Sequence, residues 1–313
     1  MGRSARLSGT RIALEAQRIG RLDQGAVHPD EEGKAEEEGQ AGVPVRRRQR
    51  RNAKSGGRQA RHPYPLSLLG TGALAIVAHA APGLAALTPL RRALLPHLSG
   101  CGRPDHVALS FDDGPDPSST PAFLTALDSL GVKATFFMLG MMVDAAPGLA
   151  AEVAAAGHEV GLHGYGHRPH LFMTLPQVRD DLAKGMDSIS RATGRAPLLH
   201  RPPYGAMSGG TVVASWQLGL RTVLWTAWGR DWRAAATPES VLASLTGRRM
   251  AGATLLLHDS DCTSAPGAWR SALGALPELV GRIEEAGLVA GPISDHGVPG
   301  RTLPGRGVSA TCR

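Results

Sequence analysis

The sequence predicts an α/β fold, a distorted (β/α) barrel with about seven parallel strands, preceded by a disordered N-terminal tail and one hydrophobic segment. Three observations predict it. Short apolar runs alternate with amphipathic stretches from His106 onward, the alternation fills residues 103–293 without a second domain, and chemically capable residues cluster where the apolar runs end. In a parallel barrel the carboxyl ends of the strands all face one way, and active sites gather there.

Taken in order, strands are read at His106 to Phe111, Ala134 to Leu139, Glu159 to His163, Leu198 to Arg201, Arg221 to Thr226, Thr254 to His258 and Leu288 to Ile293. Between them, Thr120 to Leu130, Leu175 to Thr193 and Ala268 to Ala286 carry apolar residues at helical spacing. Strands alternating with helices imply a parallel sheet.

The flanks read differently. Residues 1–62 are dominated by Arg, Glu, Gly and Gln, with an acidic run at Asp30 to Glu38 and a basic run at Arg46 to Arg51. Such a stretch buries too little apolar surface to offset its ordering entropy and is predicted to be disordered. Residues 66–88 form the hydrophobic segment: Leu66 to Leu87 is 22 residues without a formal charge, about the length that crosses a ~30 Å hydrocarbon core. With the basic run ahead of it, the segment is read as an export signal that leaves the N-terminus cytoplasmic and the remaining chain extracytoplasmic. Two fates stay open. It is either a retained transmembrane anchor, giving a membrane contact through 66–88, or a signal peptide cleaved at Ala78-His79-Ala80, giving a secreted protein. The polar stretch before it is long for a signal peptide, which points to translation beginning nearer Val43 or Val45. Residues 294–313 are read as a flexible tail.

In the 313-residue chain, 42% hydrophobic and 19% charged residues suit a globular enzyme. The net charge of +7 is not spread evenly. Residues 1–62 hold 14 Lys and Arg against 8 Asp and Glu, leaving 20 against 19 for the rest. A nearly neutral body lacks the clustered basic face that phosphate-backbone binding requires, so no nucleic-acid partner is expected. A monomer is expected. Cys101, Cys262 and Cys312 are too few and scattered for a disulfide framework, and isolated thiols are favoured over a Cys101–Cys312 pair.

The chemistry lies at the strand ends. The first strand runs into Asp112-Asp113-Gly114-Pro115; adjacent residues leaving a strand diverge, so one carboxylate can ligate a metal while the other faces a water as base. The same residues also make ordinary turns. The third strand ends in His163-Gly164-Tyr165-Gly166-His167, and on a helical turn that spacing sets both imidazoles on one side within reach of one ion. Two imidazoles and one carboxylate leave positions open for water, the pattern of a catalytic metal. His158 and His170 stand close enough to compete for the role. After the fourth strand comes Arg201-Pro202-Pro203-Tyr204-Gly205, where prolines withhold donors until the Tyr204 amide, which can stabilise an oxyanion. Arg201 can hold a carboxylate ionised through a bidentate pair. Asp231-Trp232 and His258-Asp259 follow the next two strands; His258 can protonate a leaving amine, with Asp231 orienting it. Each feature has a bland reading alone. Five at the ends of successive strands do not.

Carrying those residues in that order, residues 103–293 resemble the polysaccharide deacetylase family, also called the NodB-homology domain or carbohydrate esterase family 4. The resemblance implies a metal-dependent hydrolase that removes N-acetyl groups from an acetylated glycan, chitin-like oligosaccharide or peptidoglycan. It implies Asp112 as catalytic base, and Asp113, His163 and His167 as ligands of one divalent metal, Zn2+ first, with Co2+, Ni2+ or Mn2+ as alternatives. Arg201 would position the base, the Tyr204 amide would sit in the oxyanion hole, Asp231 would tune His258 as the acid, and Trp232 would line the pocket. The competing readings are an acetyl-xylan-type esterase, a small cyclic-amide hydrolase and a catalytically silent carbohydrate-binding domain. Two departures carry expectations of their own. Gly164 stands where the family usually has Ser or Thr, predicting a looser metal loop, and Trp228 stands where many members have Asp, weakening the expected tuning network.

Overall fold

The computed structural model describes residues 76–84, 91–247 and 249–297, all within the unit Pro63–Arg313. The tail read over 1–62, most of the hydrophobic segment and residues 298–313 lie outside the described residues. Of that segment, residues 76–84 are helical, with His79 Nε2 2.8 Å from the Leu171 carbonyl oxygen. Among the described residues no helix is long and apolar enough to cross a membrane.

Strands β1 (His106–Asp112), β2 (Thr135–Met138), β3 (Glu159–Leu162), β4 (Leu199–His200), β5 (Arg221–Thr222), β6 (Ala227–Trp228), β7 (Thr254–His258) and β8 (Val289–Gly291) form one sheet. Every pair in it is parallel. Helices α1 (Thr120–Ser129), α2 (Gly140–Ala145), α3 (Pro147–Ala155), α4 (Leu175–Thr193), α5 (Gly209–Gln217), α6 (Pro238–Thr246) and α7 (Trp269–Glu285) connect them. The strand order β5-β4-β3-β2-β1-β7-β6, with β8 on β1, leaves β5 and β6 as unpaired ends, so the barrel stays open.

The opening explains why the strand read over Arg221 to Thr226 is kept only at Arg221–Thr222, with β6 beginning just beyond it at Ala227. The sequence reads Arg221 to Thr226 as a single strand, yet its backbone changes partners midway: Val223 N donates to His200 on one edge, Leu224 N to Leu98, and Thr226 N to Thr254 on the other edge. Here the chain crosses the seam of the barrel. The segment before β1 packs along that seam: Thr254 Oγ1 donates to the Gly100 carbonyl at 2.6 Å, and Cys101 is fully buried. Cys101 is also disulfide-bonded, against the expectation of isolated thiols, while Cys262 is free. A short helical turn, Ile293–His296, buries His296, whose Nδ1 lies 2.9 Å from Nδ1 of His106.

Side chains on β1 sort by parity. Val107, Leu109 and Phe111 join the outer core with Phe123 of α1 and Leu276 and Ile283 of α7, whereas Ala108 packs inside the barrel with Phe137, Leu199 and Val223. Strand side chains alternate faces, so Ser110 and Asp112 point inward as well. The same rule applied to β7 sends Leu255 and Leu257 out and brings His258 to the inner face. Parallel register then sets Asp112 opposite His258.

The Phe111 ring lies 5.1 Å from both Phe123 and Phe136, making this cluster the joint between sheet and helices. Replacing Phe123 by Ala is expected to cost about 3–5 kcal/mol. A urea titration followed by circular dichroism checks this, the midpoint falling while the slope is unchanged.

Candidate active site

The nine residues singled out in the sequence, Asp112, Asp113, His163, His167, Arg201, Tyr204, Asp231, Trp232 and His258, collect at the carboxyl end of the barrel. Asp112 is the last residue of β1. Asp113 follows with a φ of 81°, a conformation rare for a residue with a side chain, and this turn parts the two carboxylates. A Cβ on Gly114 would collide with the buried Asp259 carboxylate, so only glycine continues the chain there.

Asp113 Oδ2 accepts from Thr263 Oγ1 at 2.7 Å. That leaves Oδ1, which is buried and has no hydrogen-bond partner, facing His163 Nε2 at 3.4 Å and His167 Nε2 at 3.3 Å. An orphaned carboxylate oxygen beside two imidazole nitrogens is costly unless something positive joins them. The three ligand atoms lie within 4.8 Å of one another, a donor set that fits one divalent ion. The His163 tautomer suits ligation: Nδ1 donates to the Arg201 carbonyl at 2.7 Å, leaving the Nε2 lone pair for a metal. Burial, then the charges of His167 and Arg201, hold His163 far below the usual imidazole range, so it is neutral, as a ligand must be. His158 and His170 do not join the cluster. His158 Nδ1 accepts from the Ala134 amide, and the His170 ring stacks on His200 at 5.4 Å.

His163 and His167 are not on a helical turn, as their spacing suggested, but on an irregular loop after β3. Gly164, at φ 98°, makes that loop possible, and it is not loose. Asp181 of α4, itself buried, accepts from the Tyr165 amide at 2.9 Å and the Gly166 amide at 3.3 Å, while the amides of Gly140 and Met141 at the start of α2 donate to the carbonyls of Gly164 and Tyr165. A Cβ at residue 164 would meet Asp181 Oδ2 at 2.8 Å. The missing Ser or Thr is thus replaced by a clamp from two helices. The sequence reading missed Asp181, although one signal was available: it falls on the buried stripe Val178, Leu182, Gly185 and Ile189 of α4, where a carboxylate is unexpected.

Arg201 is fully buried, and its fork is saturated. Nη1 donates to Asp112 Oδ1 at 2.7 Å and to Ser110 Oγ at 2.9 Å, Nη2 to the Leu224 carbonyl at 3.1 Å and Nε to the Val223 carbonyl at 3.3 Å. The pair with Asp112 is single, not bidentate, because the other donors are spent on the seam. Asp112 Oδ2 therefore remains open toward the ligands, 3.8 Å from His163 Nε2. Burial pushes the Asp112 carboxyl up to about 6, with the charges of Arg201 and His258 pulling the other way.

Opposite stands His258. Asp231 accepts from its ring Nδ1 at 3.0 Å and from its backbone amide at 2.7 Å, directing Nε2 away from Asp231. Burial lowers the imidazole pKa, but the charge and hydrogen bond of Asp231 outweigh that and push it up to about 10. The tuning pair therefore stands without an Asp at residue 228. Trp228 instead stacks on Trp232, centroids 4.1 Å apart, and Trp232 meets the His258 ring edge-on at 6.4 Å. Tyr204 occupies a turn with φ 58°, its ring 4.4 Å from that of His167.

The profile of the family described as polysaccharide deacetylase matches residues 99–223. The peptidoglycan-N-acetylglucosamine deacetylase PgdA of Listeria monocytogenes is 37% identical over 162 residues, 51% of this chain and 33% of that protein; the chain spans a third of that relative's length. A peptidoglycan-N-acetylglucosamine deacetylase of Bacillus cereus is 35% identical over 155 residues, 49% of this chain and 72% of the relative. Among solved structures, a Bacillus anthracis protein described as a carbohydrate esterase family 4 pseudoenzyme is 26% identical with a TM-score of 0.56, covering 61% of this chain and 65% of that one.

Asp181→Ala removes the acceptor of two loop amides while leaving every ligand in place. Zinc affinity, measured by competition with a chromophoric chelator, is expected to fall about 10–100-fold. Unchanged affinity would mean that α2 alone holds the loop.

Proposed function

This chain belongs to the polysaccharide deacetylase family, and from that premise we propose that it hydrolyses N-acetyl groups on an N-acetylated cell-wall glycan, releasing acetate, with one divalent ion held by Asp113, His163 and His167. The observation that carries the reading is the pairing of Asp112 and His258 as register partners on adjacent strands, one carboxylate and one imidazolium flanking the ligand cluster. Zn2+ suits two imidazoles and one carboxylate with positions left open.

When bound, the ion supplies Lewis-acid polarisation of the acetamide carbonyl and of water. The protein's own groups do the rest. Asp112 takes the proton of the attacking water through Oδ2, while Arg201 keeps Oδ1 occupied and the carboxylate aimed. A base near neutral strength is well matched to that transfer. For the negative charge gathering on the carbonyl oxygen we assign the Tyr204 amide as donor, in the turn at Pro203–Gly205 beside His167. His258, protonated because of Asp231, donates from Nε2 to the departing sugar nitrogen. Water is consumed, acetate and a free amine leave, Asp112 gives up the proton it took and His258 regains one, so that both groups return to their starting states with one net proton released.

A location outside the cytoplasm supports a cell-wall substrate. The apolar run Leu66 to Leu87 behind Arg46 to Arg51 has the form of an export segment, and a disulfide at Cys101 suits an oxidising compartment.

Asp112→Asn should lower acetate release from N-acetylglucosamine oligomers by about 10²–10⁴-fold while zinc affinity changes little. Chelator should abolish release and added zinc restore it; release indifferent to chelator would rule the mechanism out, and no release from any acetylated glycan would favour a silent domain. Asp231→Asn removes the groups that raise His258 but leaves its burial, so the imidazole loses its proton at lower pH. The alkaline limb of kcat is expected to move down by about one pH unit or more, read from a pH–rate profile.

A further inference from the structure

The open seam between β5 and β6 contains a cavity of about 360 Å³ lined by Arg91, Arg92, Trp225, Trp228, Arg230 and Ser244. It is reached from the catalytic centre along a row of rings. His258 meets Trp232 at 6.4 Å, Trp232 stacks on Trp228 at 4.1 Å with 16° between planes, and Trp228 meets Trp225 at 5.8 Å. Trp228 is 38% exposed, a large apolar face that water covers unless a ligand does. One face of Trp228 is covered by Trp232, and its exposed part can lie against the apolar side of one sugar neighbouring the one whose acetamide reaches the ligand cluster.

The far end of the row is cationic. Three guanidinia line the cavity, and no carboxylate among the described residues does. Arg91 donates to the Trp225 carbonyl at 2.6 Å and lies over the Trp225 ring, 5.8 Å from its centroid; a guanidinium has five donors, and that bond uses one. Burial, then the charges of Arg92 and Arg201, depress the Arg91 pKa. Arg230 keeps its place through a backbone at φ 56°, on the loop joining Trp228 to Asp231. Planar guanidinia at the end of an aromatic row match a carboxylate carried on a glycan.

We propose that the seam cavity is a subsite for a carboxylate substituent on the glycan strand, so that the preferred substrate is an acidic N-acetylated glycan, with Arg91 and Arg230 receiving the acid and the exposed part of Trp228 against the neighbouring sugar. The proposal rests on the deacetylase reading for its substrate class, but binding tests it separately. Calorimetry on the zinc-loaded full chain carrying Asp112→Asn measures affinity for an N-acetylglucosamine-containing tetrasaccharide with free lactyl carboxylates and for its methyl ester. Acetate release by the chain with Asp112 intact is measured alongside. The free acid is expected to bind about ten-fold tighter than the ester, and Arg230→Asn, chosen because Asn tolerates the left-handed backbone, to reduce that ratio below about two-fold. Arg91→Gln should act in the same direction; if it fails to fold because it also holds the Trp225 carbonyl, Arg230→Asn decides alone. Equal affinity for acid and ester, or a preference untouched by Arg230→Asn, overturns the subsite. An intact acid preference without acetate release overturns the deacetylase reading and leaves the subsite standing.

Discussion

The buried guanidinium of Arg201 is the interaction on which the rest of this site depends. It leaves water entirely, which is costly unless every donor is met, and here the donors go to Asp112 and Ser110 on β1 and to the Val223 and Leu224 carbonyls at the seam. Its own carbonyl accepts from His163. One residue thereby fixes the direction of the Asp112 carboxylate, the tautomer of His163 and the path of the chain where the barrel fails to close. An isolated charge inside the barrel would be intolerable, so these partners must be in place together or not at all.

Environment then divides the carboxylates. Asp112 and Asp113 are neighbours in sequence, but the left-handed turn at Asp113 sends one toward Arg201 and the other toward Thr263 and the imidazoles. A single charged hydrogen bond leaves Asp112 an open oxygen for proton transfer, while the unpartnered oxygen of Asp113 calls for a cation. His258 completes the division, held protonated by Asp231 across the same register. Two carboxyl groups of the same intrinsic acidity thus acquire different surroundings, and the roles proposed for them as base and ligand follow from that difference.

The metal loop illustrates how a departure from a family pattern is absorbed. A glycine between the two ligand histidines removes one polar side chain, yet the same lack of a Cβ lets the Asp181 carboxylate approach and take two backbone amides. Carbonyls on the loop are met by the first amides of α2, donors that a helix start leaves free in any case.

The sequence by itself determined a parallel α/β architecture, because short apolar runs alternate with amphipathic stretches along the chain, and α4 matched its apolar spacing from end to end. It also marked the chemical residues, since strand parity and strand ends are local properties. Only the tertiary structure decided what those residues touch. Asp181 acts across a helix-to-loop contact, Thr263 reaches Asp113 from 150 positions away, and the arginines of the segment before β1 meet the tryptophans of the seam. The barrel's failure to close was likewise hidden, because a strand that changes partners midway looks in one dimension like a single apolar run. Such contacts arise from long-range packing and from satisfying buried polar groups, and neither leaves a periodic trace along the chain.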